Sequence, residues 1–510
     1  MNVRVRVPIE SDNPSIERIE SLCVKCGLCT KVCKDYIGVL GRYDLEKTHD
    51  TAVCIHCGQC ANVCPTASIV EKREIDLVKQ ALADPEKIVV VTMSPAVRVS
   101  LGEAFGMAPG SFVEAKAVGL LRALGVQYVL DTDFGADLTV VEEASEFVSR
   151  VKTGAAPLPQ FTSCCPAWVK FCELFHPELL SNLSEARSPI GMQGATIKSY
   201  FAKKIGVDPQ RIFNVALAPC TAKKFEIRRS EMNAVGRRIG RPDMRDTDCV
   251  ITTRELANWA KEEKISLKDV SDSQFDSPLG VSSGAGVIFG NTGGVTEAVL
   301  RSTYFFLTGK NLKADELKFQ AVRGISKIRE AQIQIAETTL RAAVVYGTQA
   351  ADALIEDIRN GKRHYDLVEV MTCPGGCIGG GGQPKTPYGQ EEEFRQKRID
   401  ALYKRDEVLA VRTSHENPEI KALYEDFYGK PLSDTAQAML HTHYVDRSAD
   451  LGEEQQSAKS EEPRNVSAPT KKRFRCTVCG YIWEGEELPK DYVCPLCGKG
   501  IEVFEEVKEP

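Results

Sequence analysis

Residues 366–384 read DLVEVMTCPGGCIGGGGQP, and this stretch indicates the kind of domain at the centre of the chain. Its first seven residues form a short apolar run, which is typical of a strand covered on both faces in a parallel sheet. In α/β domains the ligand sites gather beyond the carboxyl ends of such strands, and Cys373 and Cys377 stand there. The glycines around and after them have no side chain, so backbone can approach a bulky group closely. The stretch therefore predicts a buried strand that presents two cysteines to a functional site.

The same kind of pattern extends over residues 85–445. Other short apolar runs alternate there with helix-like stretches: KIVVVTM, VQYVLD, IFNVALA, CVITT and RAAVVYG. This alternation predicts an α/β domain with parallel sheets. The run IFNVALAP leads to Cys220 in the way that DLVEVMT leads to Cys373. Residues 111–125 are predicted to form a helix that Ser111 caps and Gly125 ends.

Length and composition limit the class of protein. A chain of 510 residues is expected to form about two to four domains. Hydrophobic residues make up 43% and charged residues 27%, and the formal net charge of -6 predicts no nucleic-acid or anionic-membrane partner. No apolar run approaches the roughly 18 residues of a membrane helix, and the N-terminal residues lack the apolar region of a signal peptide. A cytoplasmic location is therefore expected.

The chain has 19 cysteines, which in a reducing cytoplasm favour metal binding or redox chemistry over disulfides. Eight lie within residues 1–80, in the runs CVKCGLCTKVC and CIHCGQCANVCP. Each run has the spacing C-x2-C-x2-C-x3-C, in which three thiolates wrap one cubane and the fourth reaches the other cluster. Such a small module would be stabilised by its metal. Paired zinc sites are the alternative, although zinc motifs seldom repeat this spacing.

This N-terminal module resembles the bacterial two-cluster ferredoxins. The resemblance implies two [4Fe-4S] clusters, one on Cys23, Cys26, Cys29 and Cys64 and the other on Cys54, Cys57, Cys60 and Cys33. Pro65 follows the last cysteine of the second run, as in that family, whereas Lys34 takes this place in the first run.

Three cysteine motifs lie far apart in the large domain: TSCCPAW at 162–168, APCTAKKFE at 218–226 and EVMTCPGGCIGGGGQP at 369–384. Thiolates are soft ligands suited to iron-sulfur sites. In this order the motifs resemble the signature of [FeFe]-hydrogenases, over residues 15–440. The resemblance implies a two-lobed catalytic domain that interconverts protons, electrons and H2 at an H-cluster. That cofactor is a [4Fe-4S] cube joined to a di-iron subsite with CO, cyanide and a dithiolate, and the implied ligands are Cys165, Cys220, Cys373 and Cys377.

The same resemblance implies roles for residues around this cofactor. Cys164 would pass protons to the dithiolate and Lys223 would bind a cyanide ligand. Residues expected to surround the di-iron unit are Met371, Phe289, Ser94, Pro95 and Ala96. The family's proton relay corresponds to Cys164, Glu143, Ser184, Glu146 and Arg150. Glu143 and Glu146 lie three apart, on one face if their segment is helical; the alternative is that they are solvated surface charges.

The C-terminal part begins with residues 446–472, which are polar and poor in large apolar side chains and are predicted to form a flexible tether. Residues 473–510 then carry four cysteines: Cys476, Cys479, Cys494 and Cys497. An S4 site takes iron or zinc. Tyr481, Trp483 and the CPLCG sequence resemble the short rubredoxin-like domain of rubrerythrins, which implies one redox-active iron; a structural zinc ribbon is the alternative.

Two other functions compete with the enzyme. One is a non-catalytic relative that resembles the hydrogenase-like proteins of iron-sulfur assembly, and the other is an H2 sensor. Lys223 and Met371 argue against the first, and the retained Cys164 argues against the second. For the enzyme, the expected partners are a ferredoxin or rubredoxin-type electron carrier and the maturation factors that install the di-iron unit.

Overall fold

The computed structural model describes residues 6–312, 320–321, 327–335, 338–452, 472–478, 482–485, 489, 492–494 and 499–506. The chain divides into two compact units, Met1–Glu453 and Glu454–Pro510. The strands in chain order are β1 (Ile16–Arg18), β2 (Ile69–Glu71), β3 (Ile88–Met93), β4 (Tyr128–Asp131), β5 (Gln160–Phe161), β6 (Ile212–Ala218), β7 (Cys249–Thr252), β8 (Gln320–Ala321), β9 (Ile328–Ile335), β10 (Thr338–Tyr346), β11 (Leu367–Met371), β12 (Lys472–Cys476), β13 (Ile482–Gly485) and β14 (Phe504–Glu506).

The α-helices lie between these strands. They are α1 (Leu28–Lys31), α2 (Gln59–Asn62), α3 (Ile75–Ala83), α4 (Glu114–Ala123), α5 (Thr132–Thr153), α6 (Pro166–Phe175), α7 (Pro189–Thr196), α8 (Ala202–Lys204), α9 (Ala222–Glu226), α10 (Ala234–Arg238), α11 (Thr253–Glu262), α12 (Gly284–Ile288), α13 (Gly294–Thr308), α14 (Thr348–Arg359), α15 (Glu391–Val408), α16 (Pro418–Leu423) and α17 (Asp434–Leu440).

The N-terminal module is small and built around its cysteine runs. Strands β1 and β2 pair antiparallel, with Glu17 opposite Val70. The short helices α1 and α2 each begin after a glycine in the left-handed region, Gly27 and Gly58, where a residue without Cβ is favoured. Few apolar side chains are buried in this module, as expected of a segment that depends on bound metal.

The first lobe contains a parallel sheet in the order β4-β3-β6-β7. Helices cover both faces, since Val118 of α4 and Leu256 of α11 pack in one core while Phe134 of α5 and Met192 of α7 pack in the other. Buried on both sides, the strands are almost continuously apolar. The first lobe therefore has the parallel α/β architecture that the sequence predicts.

The second lobe contains a mixed sheet in the order β5-β11-β10-β9-β8. Strands β5, β11 and β10 run parallel, as predicted, but β9 and β8 continue the sheet antiparallel. Helix α5 joins the lobes, because Leu138 packs with the first lobe and Val140 with residues of the second. This buried 22-residue helix carries three of the predicted relay residues: Glu143, Glu146 and Arg150.

Two local predictions are wrong. The helix expected from Ser111 begins at Glu114, and the Ser111 hydroxyl donates to the Ala108 carbonyl instead of capping it. The predicted tether also starts too early, since Arg447 pairs with the buried Glu173 and Leu451 packs in the core. Residues 453–471, the rest of that segment, lie outside the described residues.

The C-terminal unit has a small antiparallel sheet in which β12 pairs with both β13 and β14. Cys476 and Cys494 are buried, whereas Cys479 and Cys497 lie outside the described residues. In the part of the chain that the structure describes, no helix has both the length and the apolar character needed to cross a membrane.

Candidate active site

Three cysteine motifs from distant parts of the sequence meet at one cavity. Cys165 stands immediately before α6, Cys220 two residues beyond β6 and Cys373 two residues beyond β11. Cys377 begins a short 3-10 turn on the same loop as Cys373. Because β6 and β11 belong to different sheets, both lobes contribute walls, and the cavity lies where carboxyl ends of parallel strands are expected to place chemistry.

The cavity has a volume of about 70 Å³. All the residues predicted to surround the cofactor line it: Cys164, Lys223, Met371, Phe289, Ser94, Pro95 and Ala96. Thr132, Ala136, Pro189 and Ile190 complete much of the wall, and their contribution was not predicted. The arrangement is a mostly apolar chamber with thiols and one ammonium group directed to it.

The chemistry of the cysteines fits a bound iron cluster. Burial, followed by repulsion from Cys220, raises the pKa of Cys373 well above its usual value. Burial likewise raises the pKa of Cys220 to about 11, and Lys223 opposes part of the shift. Such thiols ionise only with a compensating cation, and a coordinated metal deprotonates a thiol outright. The soft donors around this chamber therefore suit a polynuclear iron site.

Lys223 is the cation of the chamber. Its Nζ donates to the Cys164 carbonyl at 3.1 Å and lies 2.7 Å from Oε2 of Glu226, one turn further along α9. Burial alone would lower the pKa of Lys223, but the Glu226 carboxylate outweighs it and the pKa is raised. The side chain therefore stays an ammonium beside the cavity.

The third motif also holds the loop after β3. Gln383 donates from Nε2 to the Ala96 carbonyl at 3.1 Å and accepts from the Ser100 hydroxyl at 2.6 Å. The loop that supplies Ser94, Pro95 and Ala96 is thereby fixed to the glycine-rich segment of the other lobe.

The glycines of that segment mainly allow backbone segments to approach each other. A Cβ at Gly380 would lie 2.2 Å from the Pro219 carbonyl oxygen, and one at Gly381 would lie 2.4 Å from that of Cys57. Gly376 and Gly380 also line the cavity. These glycines therefore allow the third motif to pack closely against the second motif and against the N-terminal module.

The outer part of the predicted proton relay is connected by hydrogen bonds. The Ser184 hydroxyl donates to Glu146 Oε2 at 2.7 Å, and Arg150 donates from Nη2 to Glu146 Oε1 at 2.5 Å. Arg150 also donates to backbone carbonyls of the neighbouring loops, including that of Leu183 at 2.8 Å. These contacts hold the Glu146 carboxylate in one place next to Ser184.

The inner part of the relay is more deeply buried. Burial raises the pKa of Glu143 to about 8, and the nearby Glu146 carboxylate adds to the rise. Burial, then Glu143, raises the pKa of the Cys164 thiol well above its usual value. Among the described residues, Glu143 Oε1 has no hydrogen-bond partner. Glu143 is therefore buried on α5, whereas Glu146 on the same helix is partly exposed.

The N-terminal module has two further cavities, each lined by four cysteines. One, of about 20 Å³, is lined by Cys23, Cys26, Cys29 and Cys64. The other, of about 30 Å³, is lined by Cys33, Cys54, Cys57 and Cys60. In each cavity the fourth cysteine comes from the opposite run, the exchange that the ferredoxin resemblance implies. Cys26 is exposed, whereas Cys60 is buried on the side of the larger cavity.

The second of these cavities adjoins the catalytic chamber. Gln59, which stands between Cys57 and Cys60, donates from Nε2 to Cys373 Sγ at 3.1 Å and to the Gly379 carbonyl at 3.0 Å. Thr221, next to Cys220, donates to the His56 carbonyl at 2.7 Å. Two cysteine-lined regions far apart in sequence are therefore in direct contact.

Sequence reasoning missed Gln59, Thr372 and Glu226. The hydroxyl oxygen of Thr372 lies 3.4 Å from Cys165 Sγ. Glu226 could have been found, because it stands three residues after Lys223 in a segment able to form a helix. Gln59 gave no such signal, since its contact with Cys373 spans 314 residues.

Comparison with known proteins agrees with this geometry. The family model for the iron only hydrogenase large subunit, C-terminal domain, matches residues 87–381. The chain belongs to the iron-only hydrogenase family. Models for the iron hydrogenase small subunit, a 4Fe-4S binding domain and the rubredoxin-like domain of rubrerythrin match residues 392–447, 47–70 and 474–505. The enzyme is thus an iron hydrogenase with an iron-sulfur module before its catalytic domain.

Named relatives support the same assignment. Iron hydrogenase 1 of Clostridium pasteurianum is 41% identical over 86% of this chain and 77% of its own length. The NADP-reducing hydrogenase subunit HndD of Solidesulfovibrio fructosivorans is 43% identical over 84% of this chain and 67% of its own length. An apo [FeFe]-hydrogenase structure from Chlamydomonas reinhardtii is 40% identical, with a TM-score of 0.65 over 72% of this hydrogenase and 98% of that chain.

A more distant group also matches. The cytosolic Fe-S cluster assembly factor narfl of Danio rerio is 31% identical over 72% of this chain and 88% of its own length. Its identity is lower than that of the hydrogenases named above.

Proposed function

We propose that this hydrogenase catalyses the reversible reaction of two protons and two electrons to H2 at an H-cluster. The proposed ligands are Cys165, Cys220, Cys373 and Cys377. The observation that supports this most directly is the single cavity that these cysteines line together with Cys164 and Lys223. When bound, the cofactor supplies a cubane joined to a di-iron site with CO, cyanide and a dithiolate.

Residues around the cavity would hold and protect that di-iron site. The Lys223 ammonium, kept charged by Glu226, provides a donor for an anionic cyanide ligand. Met371 and Phe289 give apolar walls, which exclude water and strengthen electrostatic contacts inside. Ala218 and Ala96 contribute only small apolar groups to the wall.

Protons would reach the cavity along α5. Arg150 and Glu146 form the outer end, and Ser184 hydrogen-bonds to Glu146. Ser184 also interacts with Glu143, and the Glu143 carboxylate acts on the Cys164 thiol. With a pKa of about 8, Glu143 is a carboxyl that both takes up and releases a proton near neutral pH. The buried Cys164 thiol rests in its protonated form, so it serves as the donor to the cavity.

Electrons would enter through the N-terminal module. We assign one [4Fe-4S] cluster to each of its cavities, the outer one beside the exposed Cys26 and the inner one beside Gln59. Lys25 lines the outer site and is exposed, which favours an acidic carrier such as a ferredoxin or a rubredoxin-type protein. The four-cysteine site of the C-terminal unit is assigned one iron, with zinc as the alternative.

Two further assignments complete the proposal. Di-iron maturation factors are required as partners, because they install the di-iron unit. The cytoplasm is the proposed location, since its reducing conditions keep cysteines available as ligands, and none of the cysteines in the described residues forms a disulfide.

A function in iron-sulfur assembly is the second candidate, because assembly factors are among the relatives. The two functions differ in whether a di-iron unit is bound. Lys223 and Met371 line the cavity and favour the hydrogenase.

The test is anaerobic purification after co-expression with di-iron maturation factors, followed by infrared spectroscopy and an H2 assay with a reduced dye. We expect CO and cyanide bands together with H2 production. Full cubane occupancy without these bands would favour the assembly function.

A Cys164→Ala variant tests the proton donor. We expect it to keep the CO and cyanide bands and to lose about 100-fold in turnover, the usual size of a proton-transfer contribution. Cys249→Ala is the matched control, because Cys249 is an equally buried free thiol in the core of the first lobe. It should lose about 1 kcal/mol of stability and no turnover. If Cys164→Ala turned over as fast as the unchanged enzyme, the Cys164 thiol would not be the proton donor.

A further inference from the structure

Gln59 is a buried amide between two metal-binding regions, and it is only 4% exposed. One N–H donates to Cys373 Sγ at 3.1 Å and the other to the Gly379 carbonyl at 3.0 Å. The module that carries Gln59 thus makes a hydrogen bond directly to a cysteine of the catalytic chamber.

Hydrogen bonds to its oxygen fix the orientation of the Gln59 amide. Asn62 donates to Gln59 Oε1 at 3.4 Å, and Arg254 donates to Asn62 Oδ1 at 3.1 Å. Arg254 is itself paired with Glu71, at 2.7 Å from Nη2 to Oε2. Gln59 therefore cannot exchange its oxygen and nitrogen without losing contacts on both sides, and the guanidinium at the end of the chain polarises the amides toward the sulfur.

A donor of this kind acts differently on the two oxidation states of a cluster. A hydrogen bond to a thiolate ligand is stronger when the site carries more negative charge, so it stabilises the reduced state. Outer hydrogen bonds to ligands are a recognised determinant of metal-site potential. Gln59 is placed to make the chamber's cubane easier to reduce by the module that supplies its electrons.

We propose that Gln59 is a positioning residue that raises the reduction potential of the cubane held by Cys165, Cys220, Cys373 and Cys377. This inference rests on the proposed function, because it takes that set of ligands from it. One electron would pass from a cluster in the inner site of the N-terminal module to the chamber's cubane, and no bond would break at the neutral amide. Without the Gln59 donor, the same electron transfer is less favourable.

The test uses the full chain produced without di-iron maturation factors, so that it carries cubanes but no di-iron unit. Gln59→Met conserves volume and removes the donor. We expect the equilibrium constant for reduction of the chamber's cubane to fall by about tenfold, which is 59 mV for a one-electron couple. Redox titration followed by electron paramagnetic resonance measures this, and the difference from a Cys377→Ala chain identifies the signal of that cubane.

Thr348→Val is the matched control. The buried Thr348 hydroxyl donates to the Ile37 carbonyl, so this residue also joins the N-terminal module to the second lobe, but it makes no bond to a sulfur. It should leave the potential of the chamber's cubane within error of the unchanged chain. An unaltered potential in Gln59→Met with full iron content would overturn the proposal, and so would an equal shift in both variants.

The result of the redox titration does not depend on the result of the hydrogenase assay. Missing CO and cyanide bands in matured protein would defeat the proposed reaction and leave the Gln59 titration intact. Loss of all cubanes in Gln59→Met would show that the residue is needed for folding of the module. In that case Gln59→Asn decides, because its shorter neutral amide draws the donor away from Cys373 Sγ without adding a charge: an unchanged potential contradicts the proposal and a lowered potential supports it.

Discussion

Glu143 shows how one residue can set both stability and proton transfer. Its carboxyl has a pKa of about 8 because it is buried, whereas an unfolded glutamate has a pKa of about 4.3. The folded protein therefore holds a proton there that the unfolded chain has released. This contribution to stability is fully present below about pH 4.3 and is lost as the pH rises through about 8.

We predict that Glu143→Gln removes this pH dependence and blocks the relay. The amide cannot ionise, so the variant should lose less thermal stability between pH 6 and pH 9 than the unchanged enzyme. Turnover should fall by about 100-fold, because a neutral amide cannot carry the proton. Anaerobic thermal unfolding at the two pH values and a dye-driven H2 assay measure these effects.

Glu142 provides the control for this prediction. It is the preceding residue on α5 and is also buried, but it faces Tyr424 and His441, with Oε2 lying 2.9 Å from His441 Nε2. Glu142→Gln should reduce stability without the loss of turnover. Parallel stability curves for the unchanged enzyme and Glu143→Gln would show that Glu143 is ionised throughout this range.

At the level of elements, the apolar runs predicted the strands that position the site. Strands β6 and β11 lie where IFNVALA and DLVEVMT predict them, and Cys220 and Cys373 follow their ends. These runs are informative because strands buried on both faces are apolar throughout. Strand β9 was missed, since IREAQIQI is buried on one face only and shows the weaker pattern of alternation.

The contacts between modules could not be predicted in the same way. The three motifs indicated which cysteines belong together, but packing of Gly381 on Cys57 depends on how complete elements dock. A single sequence shows no hydrophobic periodicity and no motif spacing that would predict contacts between separate modules. The prediction that Ser111 caps a helix was wrong for a related reason. Its hydroxyl makes a hydrogen bond within its own loop instead of to the start of the helix.

Gly381 tests that docking. A Cβ there would lie 2.4 Å from the Cys57 carbonyl oxygen and 2.8 Å from Gly58 Cα, so backbone on one side has to move. We expect Gly381→Ala to cost about 1–3 kcal/mol of stability. It should also slow dye-driven turnover while the CO and cyanide bands remain, because the N-terminal module is displaced from the chamber. Thermal unfolding, infrared spectra and the H2 assay test this.

Gly389→Ala separates the effect of docking from that of substitution itself. Gly389 follows in the same segment at φ +83°, with nothing within 4 Å of the added carbon. Strain in the left-handed region should cost about 1–2 kcal/mol and leave turnover unchanged. If both alanine variants turned over like the unchanged enzyme, close contact at Gly381 would be unnecessary for electron delivery.

On the scale of the whole molecule, the proposed proton and electron routes lead to one chamber through different elements. The residues of the proposed proton route lie mainly on α5, which joins the two lobes, whereas the proposed electron route passes through the loop around α2. Mutations on one route should therefore leave the other intact. The chamber, which five cysteines line, and the two cavities of the N-terminal module, which four cysteines line in each case, all lie within Met1–Glu453.

This distribution predicts the result of removing Glu454–Pro510. The truncated chain should keep its CO and cyanide bands and its dye-driven turnover, because the dye supplies electrons without the C-terminal unit. It should lose one metal ion per chain, and metal analysis of both proteins identifies that ion as iron or zinc. A full-length chain with Cys476→Ser and Cys494→Ser is the control, since it loses the buried thiols and keeps the segment. If truncation abolishes dye-driven turnover and the double variant does not, the C-terminal segment supports the catalytic unit independently of its metal.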